Sequence, residues 1–300
     1  MHNKQHNEPL SYVIEEAPCF LKYEAPAREF LLSPWLTTQS LNMIYAWRGV
    51  GKTHMALAIA HSVATANQFL GWNPARACKV FYIDGEMPIN SLQERLGRYD
   101  DITPINENLI IFSADRQKQP MPDLATLEGQ QMIDSLTPDD TKLIIIDNLS
   151  CLASGRENDS ESWSSISRWA IAKRSEGKAI LFIHHSGKDG NQRGTSKRED
   201  ILDTVIALKS PASYNSSQGA RFEVHFEKAR HLYGEAITAF TASLASKNGK
   251  QAWVSSFINS NNSLHIKKIA LLHEEGLTPG EIAFELNINR STVYRHLKNM

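Results

Sequence analysis

Cysteine is scarce: Cys19, Cys78 and Cys151 are the only three among 300 residues, odd in number and widely spaced. That spacing builds neither a disulfide framework nor a paired metal site, and it suits a reducing cytoplasm. Strong charge of one sign is also missing. Thirty-two Lys and Arg face 33 Asp and Glu, for a net charge of −1, so contact with nucleic acid must come from local patches. Long apolar runs are absent. The stretches at 143–147 and 179–183 are far too short to span a bilayer, and the opening MHNKQHNEPL has no apolar run of the signal-peptide kind. A membrane partner is not expected, and no internal repeat is seen. With 41% apolar and 22% charged residues, the chain has the make-up of a soluble globular protein, either one large domain or a core plus a module.

From Leu41 onward, short β-rich runs alternate with helical patterns. The runs are LNMIYAW, KVFYIDG, LIIFSAD, KLIIIDNL and AILFIHH, with helix-like segments at 52–66, 91–99, 124–136 and 162–176. Near-continuous Ile, Leu, Val and Phe runs separated by helices predict a mostly parallel twisted sheet with helices on both faces. DTVIAL at 203–208 and FEVHFEKAR at 222–230 read as further strands, the second alternating as an edge or antiparallel strand does. The polar INSNNS at 258–263 reads as a linker. The expected organisation is a lead-in over residues 1–38, an α/β domain over 39–257, the linker, and a small all-α unit over 264–300.

AWRGVGKTHMALAIA, residues 46–60, has the pattern of a phosphate-binding loop. Phosphate oxygens need converging backbone N–H donors and a helix N-terminus. Gly49 and Gly51 let the backbone wrap closely, Lys52 reaches toward the β and γ phosphates, and the Thr53 hydroxyl is placed to hold Mg²⁺. Ala46 stands where the pattern has its first glycine, a position tolerant of alanine when φ is negative. The candidate nucleotide site is thus Ala46, Trp47, Arg48, Gly49, Val50, Gly51, Lys52, Thr53 and His54.

KLIIIDNL ends in Asp147, a carboxylate at a strand tip beside that loop and a candidate Mg²⁺ holder. Hydrolysis also needs a base for the attacking water. In VFYIDGEMP, Glu86 is better placed than Asp84, because Gly85 lets the chain turn and aim it into the crevice. AILFIHHSGKDG puts His184 and His185 at another strand tip, and only one can face inward to sense the γ-phosphate. In FEVHFEKAR, Phe222, Val224, Phe226, Lys228 and Arg230 share one face. Two cations at a strand end can reach a neighbour's γ-phosphate if subunits form a ring, or they simply close a solvated sheet edge. The loop SGKDGNQRGTSKRED, 186–200, carries Lys188, Arg193, Lys197 and Arg198 among small polar residues, suited to gripping a phosphate backbone, although three acidic residues offset them.

Residues 264–300 read as three helices. Thr278, Pro279 and Glu281 make a capping box with a proline at the first helical position. Ile269 and Leu272, Ile282 and Leu286, Val293 and Leu297 are spaced to form a shared core, leaving Arg290, Ser291, Thr292, Tyr294, Arg295 and Lys298 exposed on or near the last helix. This is the helix-turn-helix arrangement that places its last helix in a major groove; the alternative is a small helical protein-binding domain.

RGVGKT, YIDGEMP, LIIIDNLS, FIHHSGK, RGTS and KAR before YG, in that order, resemble the RecA-like hexameric ATPases of plasmids and mobile elements, including replicative helicases of the RepA type. The resemblance spans roughly residues 35–245 and implies a RecA-like P-loop core. It makes Lys52 and Thr53 ligands of ATP and Mg²⁺, Glu86 the catalytic base, Asp147 the metal carboxylate, and His184 or His185 the γ-phosphate sensor. Lys228 and Arg230 resemble trans-acting fingers of ring helicases, although the plasmid helicase's own finger falls where this chain has His225. Arg95 in LQERL matches a recurrent arginine of the group. The implied partners are other copies in a hexamer and single-stranded DNA through the core. The C-terminal unit resembles those appended to resolvases and is foreign to the plasmid helicase; it adds an expected contact with duplex DNA. The expected function is an ATP-hydrolysing motor on DNA, a ring-forming replicative helicase of a plasmid or other mobile element. The alternative is an ATP-switched DNA-binding regulator or helicase loader. A small-molecule kinase sharing the loop comes third, since no acceptor site or lid pattern is seen.

Overall fold

The computed structural model describes residues 13–154, 160–186, 199–211, 214–247, 250–258, 268–286 and 288–297. A short helix, α1 (Ala17–Phe20), and a hairpin, β1 (Phe30–Leu32) and β2 (Leu36–Thr37), precede the main sheet. Then come β3 (Leu41–Ala46), α2 (Lys52–Thr65), β4 (Lys79–Asp84), α3 (Ile89–Asp100), β5 (Leu109–Ser113), α4 (Leu127–Leu136), β6 (Thr141–Asp147), α5 (Leu149–Leu152) and α6 (Ser160–Ser175). The core closes with β7 (Ala179–His185), β8 (Thr204–Lys209), β9 (Arg221–Ala229), β10 (Phe240–Lys247) and β11 (Lys250–Phe257).

Among the described residues, nine strands form one sheet in the order β11-β10-β9-β8-β3-β7-β6-β4-β5. The stretch from β8 to β5 is parallel and β9 to β11 are antiparallel. The five expected runs and DTVIAL supply the parallel part. FEVHFEKAR is antiparallel to β8, as its alternation predicts, but lies inside the sheet because β10 covers its other side. β6 and β7 read as unbroken apolar runs because both faces are covered: one by the cluster holding α2, the other by the cluster holding α5 and α6. Each fully buried Ile or Leu in these layers contributes about 1.5–3 kcal/mol. The first core reaches upstream of residue 39: Leu31, Leu32, Trp35 and Leu36 of the hairpin are buried against the same layer as Met55 and Ile59 of α2.

The C-terminal unit has a helix α7, described over 268–274, then α8 (Pro279–Glu285) and α9 (Arg290–Leu297). Thr278 and Glu281 form the capping box, with Pro279 at the first turn. Ile269, Ile282, Ala283 and Val293 are buried, and Leu272, Leu286 and Leu297 pack against them. All six residues expected in this small core are therefore in it.

Candidate nucleotide site

β3 delivers the chain to the loop at the C-terminal end of the parallel strands. Ala46 is its last residue, 1% exposed and paired with both β7 and β8. It keeps strand geometry, so no glycine is needed there. Positive φ falls on Gly49, at 81°, and Gly51, at 123°, a region that disfavours other residues. A Cβ on Gly51 would also come within 3.0 Å of the Phe222 ring. The backbone then enters α2 at Lys52, whose first-turn N–H groups and dipole favour an anion.

A cleft of about 360 Å³ opens over this turn, lined by Arg48, Gly49, Gly51, Lys52, Thr53, His54, Glu86, Met87, Arg95, Asp147, His185, Tyr214, Gly219 and Ala220. Lys52 Nζ donates to the carbonyls of Ala46 at 3.1 Å and Trp47 at 3.2 Å. Burial pushes its ammonium down to about 8, against the pull of Asp147 and Glu86. Trp47 carries the Arg48 guanidinium over its ring at 5.1 Å, and Val50 packs on the core. Burial and the nearby Arg95 and Arg98 hold His54 down to about 4, as a neutral imidazole.

β6 brings Asp147 beside Thr53. The carboxyl is buried and its ionisation point rises to about 6, through desolvation first; hydrogen bonds from Tyr82 and Thr53 oppose the rise. The Tyr82 hydroxyl donates to Asp147 Oδ2 at 2.5 Å. Among the described residues, no group of three or more His, Cys, Asp or Glu forms a metal cage. A buried carboxylate touching a threonine hydroxyl instead fits a hydrated Mg²⁺ that takes one or two protein ligands and completes its shell on phosphates.

β4 lies next to β6 in register, Asp84 opposite Asp147. Asp84 is buried and accepts from Met87 N at 3.0 Å and Ser113 Oγ at 2.9 Å, so it holds the turn that projects Glu86 into the cleft. Gly85 serves that turn for a reason other than the expected one. Its φ is ordinary, but a Cβ would come within 2.8 Å of Leu152. His185 faces the cleft, 3.8 Å from Glu86. His184, 1% exposed and paired with Tyr45, lies on the opposite face of the sheet.

Lys228 and Arg230 depart from the expected picture. A bulge in the β8–β9 pairing, between Val205 and Ile206, breaks the shared face, and Arg230 follows the strand rather than ending it. Lys228 Nζ donates to the Glu199 carbonyl, and Arg230 Nη2 to that of Asp200 at 2.6 Å. Because β9 runs antiparallel, Ala229 pairs with Thr204 while Val224 pairs with Leu208. The two cations therefore sit at the N-terminal end of the parallel strands, roughly 13 Å or more from their own phosphate loop. His225 is paired with Glu223 at 2.9 Å. Lys188, Arg193, Lys197, Arg198 and Lys298 lie outside the described residues. On α9, Arg290, Ser291 and Tyr294 are exposed, with Arg290 over the Tyr294 ring at 5.7 Å. Thr292 is half-buried rather than exposed, since it precedes the core residue Val293; Arg295 lies within α9.

The sequence pattern did not point to Asn148, Tyr82, Tyr214, Gly219 or Ala220. Asn148 follows Asp147 directly, and that adjacency was its one available signal. The other four come from a buried strand and an irregular connection, neither of which carries a spacing rule.

A glycine-bearing loop between a parallel strand and a lysine-led helix, with the acidic strand β6 one strand removed across β7, defines a P-loop nucleotide-binding core of RecA-like fold. The chain belongs to the AAA domain family AAA_25, which matches residues 14–191, and so carries an ATPase-type domain. Residues 269–300 match the bacterial regulatory protein family arsR, a helix-turn-helix type. No curated protein matches the chain. Among solved structures it is similar to the RadB recombinase, at 14% identity over 69% of this chain and 88% of that one, TM-score 0.49. It is also similar to the flagellar accessory protein FlaH from Methanocaldococcus jannaschii, at 10% identity over 72% and 90%, TM-score 0.48. The described residues hold no helix long and apolar enough to cross a membrane.

Proposed function

We propose that this chain is an ATP-hydrolysing, RecA-like motor that assembles head-to-tail into a hexameric ring and acts on DNA as a replicative helicase of a plasmid or other mobile element. The observation that carries the reading is the division of charge. Lys52, Thr53, Asp147 and Glu86 share one cleft, while Lys228 and Arg230 stand at the other end of the sheet, away from it, so that as fingers they would serve a neighbouring copy's nucleotide rather than their own. ATP would bring the bond to be broken, and Mg²⁺, held by Thr53 and Asp147, would supply positive charge against its phosphates. Lys52 and the loop amides bind the phosphates, and Glu86 takes the proton of the attacking water. His185, which lines the cleft near Glu86, would sense loss of the γ-phosphate and pass that change to single-stranded DNA. Arg290, Ser291 and Tyr294 on α9 dock the ring on duplex DNA.

The match to a family of bacterial regulators favours a second reading, an ATP-switched DNA-binding regulator or loader. A strand-displacement assay with ATP separates the two: displacement supports the motor, while DNA-stimulated ATPase activity with no displacement on any tailed substrate refutes it. Arg230→Ala should spare nucleotide binding and cut turnover, and mixing it with Lys52→Ala protein should restore activity. A mixture as inactive as its parts would rule out action between subunits.

A further inference from the structure

One buried amide joins two groups of the cleft. Asn148, 1% exposed, opens α5, and its Oδ1 accepts from Cys151 N at 3.1 Å. That commits the oxygen end to the helix cap and turns the nitrogen end toward the cleft. There Nδ2 donates to Glu86 Oε2 and lies 3.1 Å from His185 Nε2. A primary amide carries two N–H donors, enough for a carboxylate and an imidazole lone pair together. Glu86 needs such a hold. Its side chain is 54% exposed at the tip of a turn, whereas that of His185 is 23% exposed at a strand end. A long exposed carboxylate samples several rotamers, and a base must be aimed before its basicity counts.

We propose that Asn148 is a positioning residue: it aims the Glu86 carboxylate and ties it to His185, so that the two groups move as one unit. The inference rests on the reading of Glu86 as the base. It differs from a purely structural role for Asn148, which the cap to Cys151 alone would satisfy.

Two substitutions keep that cap and remove the bridge. Asn148→Ser retains a capping oxygen but is too short to reach Glu86 or His185. Asn148→Asp retains the cap and sets a carboxylate against Glu86. With the full chain, Asn148→Ser should lower kcat about ten- to a hundredfold, the scale of a misaimed catalytic group, with KM for ATP and Tm unchanged. Asn148→Asp should lower both kcat and Tm, and adding Glu86→Gln, which supplies an amide donor in the reverse direction, should restore Tm without restoring turnover. The inference is overturned if Asn148→Ser keeps kcat within twofold while Glu86→Gln stops turnover, or if Asn148→Ser changes KM alone. Full turnover by Glu86→Gln would instead remove the base assignment, and this inference with it.

Discussion

Asp147→Asn tests the electrostatics of the site more sharply than any loss of activity. The Asp147 carboxyl moves from 3.8 up to about 6 on folding, chiefly because it is desolvated. Such a rise corresponds to about 3 kcal/mol by which the fold disfavours the ionised form. The sign follows from proton counting. Between these two values the folded chain holds a proton that the unfolded chain has lost, so stability falls as pH rises through the window, and the full penalty applies above about pH 6. Asparagine has the same shape, carries no charge, and still offers an oxygen to the Tyr82 hydroxyl. Without nucleotide, Asp147→Asn should therefore raise Tm at pH 8 by roughly 6–12 °C. The gain should shrink to about half at pH 5, where the native carboxyl is mostly protonated. The same variant should lose the Mg²⁺-dependent part of nucleotide affinity. Thermal melts of both proteins at the two pH values decide the matter. An equal or lower Tm at pH 8, or a gain that does not depend on pH, would refute the reasoning.

Further outcomes follow from other contacts. Burial holds Lys52 down to about 8, so affinity of the empty protein for ATP should decline as pH rises through 8 to 9, seen by titration with a fluorescent analogue; a flat profile would mean the lysine charge is not used. Gly51→Ala meets both a φ of 123° and the Phe222 ring; it should cost about 1–3 kcal/mol in denaturant melts and abolish nucleotide binding, whereas Ala46→Gly should bind normally. Thr278→Ala removes the capping box of α8 and should lower protection of its amides in hydrogen exchange by about 1 kcal/mol, leaving the α/β core unchanged. Tyr294→Ala should weaken duplex DNA binding in a gel-shift assay without changing ATP affinity.

Much of this was legible in the sequence because parallel strands covered on two sides must be apolar throughout, and loops that hold phosphate must follow them. The runs around Ile44, Ile83, Ile146 and Ile183 announced their strands, and Thr278 with Glu281 announced the start of α8. β10 and β11 were not seen: FTASLASK and KQAWVSSF are rich in small and polar residues, and an antiparallel strand near a sheet edge needs only one covered face. The hairpin at Phe30–Thr37 was read as part of a lead-in because its strands are too short for periodicity to register. Within the site, strand alternation required one histidine to face inward but not which; the pairing of Ala46 with His185 selects it. The bulge displacing Lys228 and Arg230 is a register event, invisible to any rule that counts by twos.

β7 is hydrogen-bonded to β3 on one side and β6 on the other. The phosphate loop, Asp147 and His185 are thus fastened to three adjacent planks of one floor. A pocket with such a base has no hinge beneath it, unlike a cleft between two lobes that swing shut. Any opening or closing must come from what overhangs the rim, such as the Tyr214–Ala220 connection that lines the cleft.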